Sequence, residues 1–130
     1  MASKQYQQLA IAARQILVSK RALQRSLPRG LVNDPAVDIL LSLFVHDVDR
    51  VVMTDTELGA IVDCATPSAF NRWLLALEAE QLTQRRVAHD DEFFVELTDH
   101  GRKRVANALM KAAGAERGVR IDPLQGYQSP

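Results

Sequence analysis

The sequence predicts a mainly α fold with a small β hairpin between its last two helices. Three observations predict it. Apolar side chains recur at helical spacing through residues 4–27 and again in several later segments. Helix-start signals (Asp34–Pro35, Thr54 with Glu57, Thr66–Pro67) precede three of those segments. Two short alternating runs flank "HDDE", the pattern of a hairpin.

At 130 residues, the chain suits one domain able to bury a core without a staple. Its single cysteine, Cys64, cannot close an internal disulfide, so a reducing, cytoplasmic setting is expected. No apolar run approaches the ~18 residues of a membrane span. The start "MASKQYQQLA" lacks the apolar stretch of a signal peptide. Net charge is +0, which exerts no general pull on nucleic acid or membrane. Its distribution is uneven: residues 1–33 carry six bases and no acid, residues 34–98 four bases against thirteen acids, and residues 99–130 six bases against three acids. Basic ends and an acidic middle suit docking of the ends on phosphates, a partner, or the middle of a second copy.

Residues 4–27 lack Gly and Pro and read as one long helix. Leu9, Ala13, Ile16, Lys20, Leu23 and Leu27 follow a 4-3-4-3-4 rhythm, a seam of the coiled-coil type. Such a seam serves a dimer or packing within the chain, and Lys20 in it can set register. The loop "PRGLVN" ends the helix. "DPAVDILLSLFVHDVD" forms a second, central helix, with Val37, Leu40, Leu41, Phe44 and Val48 on its core face and Asp34 as its cap. "RVVM" is extended. "TDTE" is a capping box that starts a helix from Asp55 to about Cys64, burying Leu58, Ile61 and Val62, and Gly59 permits close approach of a neighbour. The next helix covers about 67–81. Phe70, Trp73, Leu74 and Leu77 face inward, leaving Ser68, Ala69, Asn71, Arg72, Leu75 and Ala76 outside. "LTQRRVAH" and "EFFVELT" are strands, with Phe93, Val95 and Leu97 inward. Thr98 caps a last helix ending near Gly114, with Val105, Leu109 and Ala112 on its apolar face.

This order is that of a winged helix-turn-helix, and the residues resemble the MarR-type family of bacterial regulators. Three segments carry the resemblance: "DPAVDILLSLFV", "TDTELGAIVDCATPSAFNRWLLALEAEQLTQRR" and "FFVELTDHGRK". Within them Leu74, Leu77, Glu78, Leu82 and Arg85 match "L-x-x-L-E-x-x-x-L-x-x-R". Val95, Leu97, Thr98 and Gly101 match "V-x-L-T-x-x-G". The resemblance covers roughly residues 34–112. It implies a homodimeric transcriptional regulator of double-stranded DNA that joins through its terminal helices. Residues 1–33 are then a basic dimerisation helix and loop, and residues 34–113 the winged domain. Residues 114–130, rich in Gly and Pro with little periodicity, read as a flexible tail or one that folds on a partner.

The resemblance also implies that the helix 67–81 enters the major groove. Ser68, Ala69, Asn71, Arg72 and Ala76 match groove-facing positions, and Arg85 and Arg86 the base of the wing. Arg72 suits a guanine edge or a phosphate, Asn71 an adenine, and Ser68 a phosphate near the helix N-terminus. Two such helices about 34–36 Å apart predict a palindromic site. Arg14, Lys20, Arg21 and Arg25 are available for further phosphates.

The wing tip "AHDDE" is acidic where the family carries bases, and Ala76 stands where a base is usual. These features support an alternative: a winged-helix protein–protein interaction module with weakened or lost DNA binding. Arg85 and Arg86 alternate across a strand, so one of them is expected to pair with Glu92 or Glu96. Phe94 is expected exposed on the wing, or packed on the first helix. Cys64 reads as a structural thiol before a redox switch. His46 with Asp47 and Asp49 reads as a solvated helix end. The three histidines are dispersed, and no nucleophile motif, phosphate loop or paired catalytic carboxylates stand out. No enzyme, metal or cofactor is expected.

Overall fold

The computed structural model describes residues 3–28, 34–62, 64 and 66–121. Its elements are α1 (Lys4–Ser26), α2 (Pro35–Val48), β1 (Met53–Thr54), α3 (Asp55–Ile61), α4 (Pro67–Ala79), β2 (Thr83–His89), β3 (Glu92–Leu97) and α5 (Asp99–Ile121). The molecule is mainly helical with a small antiparallel sheet of order β1-β3-β2, an arrangement compatible with a winged helix. Most of the loop expected from Pro28, and two residues between the third and fourth helices, 63 and 65, lie outside the described residues.

α2 is the hub. It touches α1, α4, α5 and β3, so it is buried on more than the single face expected. Ile39, Leu41, Leu43, Phe44 and Val45 are all in the core, while Val37, Leu40 and Val48 are only half-buried. Asp34 precedes α2, but its side chain makes no cap hydrogen bond. α1 lies along α2 through Leu9, Ala10, Ala13 and Leu17. Leu9 and Ala13 of the seam are therefore used inside the chain. Lys20 is held by Asp38 at 3.1 Å and Asp34 at 3.6 Å, a largely buried link between α1 and α2. The other end of the seam, Leu23 and Leu27, is exposed.

Local chemistry sets the middle of the fold. The capping box of α3 is complete: Thr54 Oγ1 accepts from Glu57 N, and Glu57 Oε1 accepts from Thr54 N. Thr66 caps α4 by accepting from Ala69 N at 3.0 Å. Gly59 lets α3 and α4 meet, since a Cβ there would stand 3.3 Å from the Phe70 ring. α2 and α4 end alike. Arg50 and Gln81 take φ of 61°, and Val51 N and Leu82 N donate to His46 O and Leu77 O. This is a left-handed helix stop without glycine.

Several expectations are corrected. Ile61 and Trp73 are each 40% exposed rather than core. The inner stripe of α4 is the narrow set Phe70, Leu74 and Leu77, and Trp73 falls on its flank. Phe93 is 37% exposed, because β3 runs past the core as it nears the hairpin tip, whereas Val95 and Leu97 are buried. Ala112 is exposed, and Val105, Ala106 and Leu109 form the inner face of α5. α5 does not stop at Gly114 but continues to Ile121. A helical glycine costs about 1 kcal/mol but does not end a helix unless the backbone turns left-handed there. The remainder of the expected tail, residues 122–130, lies outside the described residues.

Candidate nucleic-acid interface

α3 and α4 meet where Gly59 faces the Phe70 ring, and α4 presents its outer side to solvent. At about 3.6 residues per turn, Ser68, Arg72, Leu75, Ala76 and Ala79 line the side opposite the core stripe. All five are exposed. Arg72 makes no hydrogen bond or ion pair among the described residues. Asn71 is also exposed but sits toward α3, where it lines a cleft of about 520 Å³ with Asp55, Cys64, Phe70 and Leu74. Ala69 is half-buried at the other edge of α4. Thus Ser68, Arg72 and Ala76 share one face, while Asn71 and Ala69 flank it.

The wing arginines are both engaged. Arg85 pairs with Val95 across the hairpin and lies on the core side of the sheet. Its Nε meets Glu78 Oε2 at 2.5 Å, and its Nη2 donates to Glu78 Oε1 at 3.3 Å. The shorter contact is an ion contact without good hydrogen-bond direction, so Oε2 has a charge partner yet no formal hydrogen bond. The Arg85 guanidinium also lies 5.5 Å from the centre of the Phe93 ring. Glu78 and Arg85 thereby tie the end of α4 to β2. Both residues belong to the "L-x-x-L-E-x-x-x-L-x-x-R" pattern, whose spacing gives no sign of their contact.

Arg86 is on the outer sheet face, 5.0 Å above the Phe94 ring. It donates to Glu96 Oε1 at 3.1 Å. That hydrogen bond holds the Glu96 carboxyl below its usual range, against a smaller upward push from burial. Phe94 therefore packs under its own hairpin's arginine. Beyond these pairs the tip is acidic and open: Asp90 is 97% exposed at φ 52°, and Val87 is 76% exposed.

Other bases proposed for phosphates are partly committed. Arg14 forms an ion pair with Asp49, and Lys20 with Asp38. Arg21 donates to Ile61 O at 3.5 Å. The cluster at the end of α2, expected to be solvated, is partly tied down. Asp47 accepts from Arg102 Nε at 2.7 Å, and His46 Nδ1 lies 2.7 Å from Ser42 O. The Asp47 hydrogen bond raises the pKa of Arg102 further above its already high value. Residues 47 and 102 are too far apart in sequence for any local pattern to reveal the pair.

An open groove of about 1050 Å³ runs between α1 and α5, lined by Ile11, Ile16, Val18, Leu23 and Ala112 among others. Cys64 is half-buried. Among the described residues there is no group of three or more potential metal ligands, and no helix is long and apolar enough to cross a membrane.

The chain matches no protein-family model, no curated protein and no solved structure.

Proposed function

We propose that this chain is a winged helix-turn-helix protein of the MarR type. It binds double-stranded DNA as a homodimer and regulates transcription, with α4 as its recognition helix. The observation that carries this reading is Arg72. It stands unpaired among the described residues on the outward face of a capped helix. Ser68 lies one turn earlier, where the helix N-terminus favours a phosphate. A guanidinium held in that way suits the two acceptors of a guanine edge.

Exposure and ion pairing support the remaining assignments of this reading. Arg86, half exposed, exchanges Glu96 for a phosphate, whereas Arg85 positions the wing through Glu78. A second copy covers the apolar groove between α1 and α5, using Leu23 and Leu27 with Ile11 and Val18. Leu9 and Ala13 take no part in that contact, since they are buried in their own chain.

Selection of the full chain against a randomised duplex library at moderate salt tests the reading. A palindromic motif is expected for wild type. Arg72→Ala should lose about 1–3 kcal/mol of discrimination at one base pair of each half-site. Equal motifs and affinities for both proteins would remove Arg72 from the interface.

A second reading is a protein–protein interaction module on the same scaffold. It is favoured by the acidic wing tip together with the neutralisation of Arg85 and Arg86 by their own chain's carboxylates. A partner that stays bound after nuclease treatment, paired with absence of any enriched duplex, would establish it.

A further inference from the structure

The outward face of α4 holds one cation and is otherwise apolar or small. Leu75, 48% exposed, stands three residues beyond Arg72, with Ala76 and Ala79 beside it. It does not serve the core, which takes Phe70, Leu74 and Leu77 from this helix. The nearest carboxylate on α4, Glu78, is drawn off this face by Arg85. A leucine beside a lone arginine is a poor phosphate surface, since it offers neither charge nor donor.

The major groove displays one apolar group, the C5-methyl of thymine. Leu75 lies roughly 4.5 Å along the helix axis from Arg72. That is close to the spacing of about 3.4 Å between successive bases of a strand. A helix that sets Arg72 on a guanine therefore brings Leu75 over a neighbouring pair.

We infer that Leu75 is a specificity-determining residue that reads thymine methyl groups, so that each half-site sets a G·C pair beside one or two A·T pairs whose methyls face α4. The inference rests on the DNA-binding reading above and names the sequence class that it implies.

The test uses the full chain and the duplex selected from the randomised library. Thymine is replaced by uracil at one position at a time, which removes the methyl and keeps every hydrogen-bonding group. Wild type, Leu75→Ala and Arg72→Ala are compared. At one or two positions beside the guanine, uracil is expected to weaken wild-type binding by roughly three- to fivefold, the effect of one buried methyl. Leu75→Ala should bind both duplexes equally at those positions, a coupling that a double-mutant cycle reads directly. Because Leu75 is exposed, the variant should fold as wild type does, with an unchanged circular dichroism spectrum and melting temperature.

An enriched motif sensitive to Arg72→Ala but indifferent to uracil would overturn this inference and leave the DNA reading standing. Equal uracil effects in wild type and Leu75→Ala would overturn the assignment to Leu75. Absence of any enriched motif would overturn both.

Discussion

Single residues in this chain are constrained most tightly where backbones approach. A Cβ on Gly101 would fall 2.0 Å from the Leu82 carbonyl oxygen, a backbone atom that cannot swing aside. That oxygen also accepts from Thr98 N, while Thr98 Oγ1 accepts from Gly101 N, so the start of α5 is clamped to the turn between α4 and β2. Gly101→Ala should cost about 3 kcal/mol or more, at the upper end of overpacking changes, read by urea unfolding. Gln81 makes the opposite case. It holds φ at 61° with an ordinary side chain. Gln81→Gly should therefore stabilise by up to about 1 kcal/mol, in the same unfolding measurement, by relieving the left-handed cost. Glu96 adds a pH dependence. Its folded pKa is lowered, so its contribution is present above the ordinary value of 4.5 and is lost as pH falls through the lowered value. Glu96→Gln should flatten the acid side of the stability profile, and an unchanged profile would rule that contribution out.

Elements are joined by a few charge pairs laid over apolar contacts. Lys20 with Asp38 fastens α1 to α2, Arg102 with Asp47 fastens α5 to α2, and Arg85 with Glu78 fastens β2 to α4. The Arg85 and Glu78 side chains are 23% and 26% exposed, so loss of one partner leaves the other charge poorly solvated. Glu78→Ala should cost about 1–3 kcal/mol. Adding Arg85→Ala to it should cost little more, since the stranded charge is then gone. Strictly additive losses would show that the pair does not hold the wing. The Thr54 capping box is a shorter-range device. Thr54→Ala should lose roughly 1 kcal/mol, or somewhat more because Thr54 is buried.

At the scale of the whole molecule, electrostatics sets the balance between the two proposed functions. Net charge is +0 and the wing tip carries Asp90 and Asp91. On the DNA-binding reading, few phosphates are neutralised per copy, so affinity should fall only moderately with salt. Asp90→Lys with Asp91→Lys should steepen the dependence of log K on log salt by about 2 units per wing that reaches the duplex. An unchanged slope would place the wing away from the DNA. On the proposed dimeric reading, a second copy covers the open groove between α1 and α5, so a concentration-dependent dimer is expected and Val18→Glu with Leu23→Glu should shift sedimentation toward the monomer.

Local signals were legible wherever a few adjacent residues decide the outcome. The caps at Thr54, Thr66 and Thr98, the close approach at Gly59, the hairpin at "HDDE" and the exposure of Ser68, Asn71 and Arg72 all follow from short patterns. Periodicity found the helices because a buried stripe must repeat with the helix. It misjudged Trp73, Ile61 and Phe93, because the width of a buried face is set by what packs against it. Gly114 gave a false end to α5, because a glycine stops a helix only where the backbone turns left-handed. Strand alternation across the hairpin already pointed one wing arginine to Glu92 or Glu96, and Arg86 takes Glu96. The partners of Arg85, Lys20 and Arg102 were decided by tertiary structure, since each partner lies on another element and charge attraction carries no sequence spacing. By itself, then, the sequence determined the elements, their order and the exposed face of α4. Only the folded chain decided which of its cations are neutralised at home, and so left Arg72 as the one on that face without a partner among the described residues.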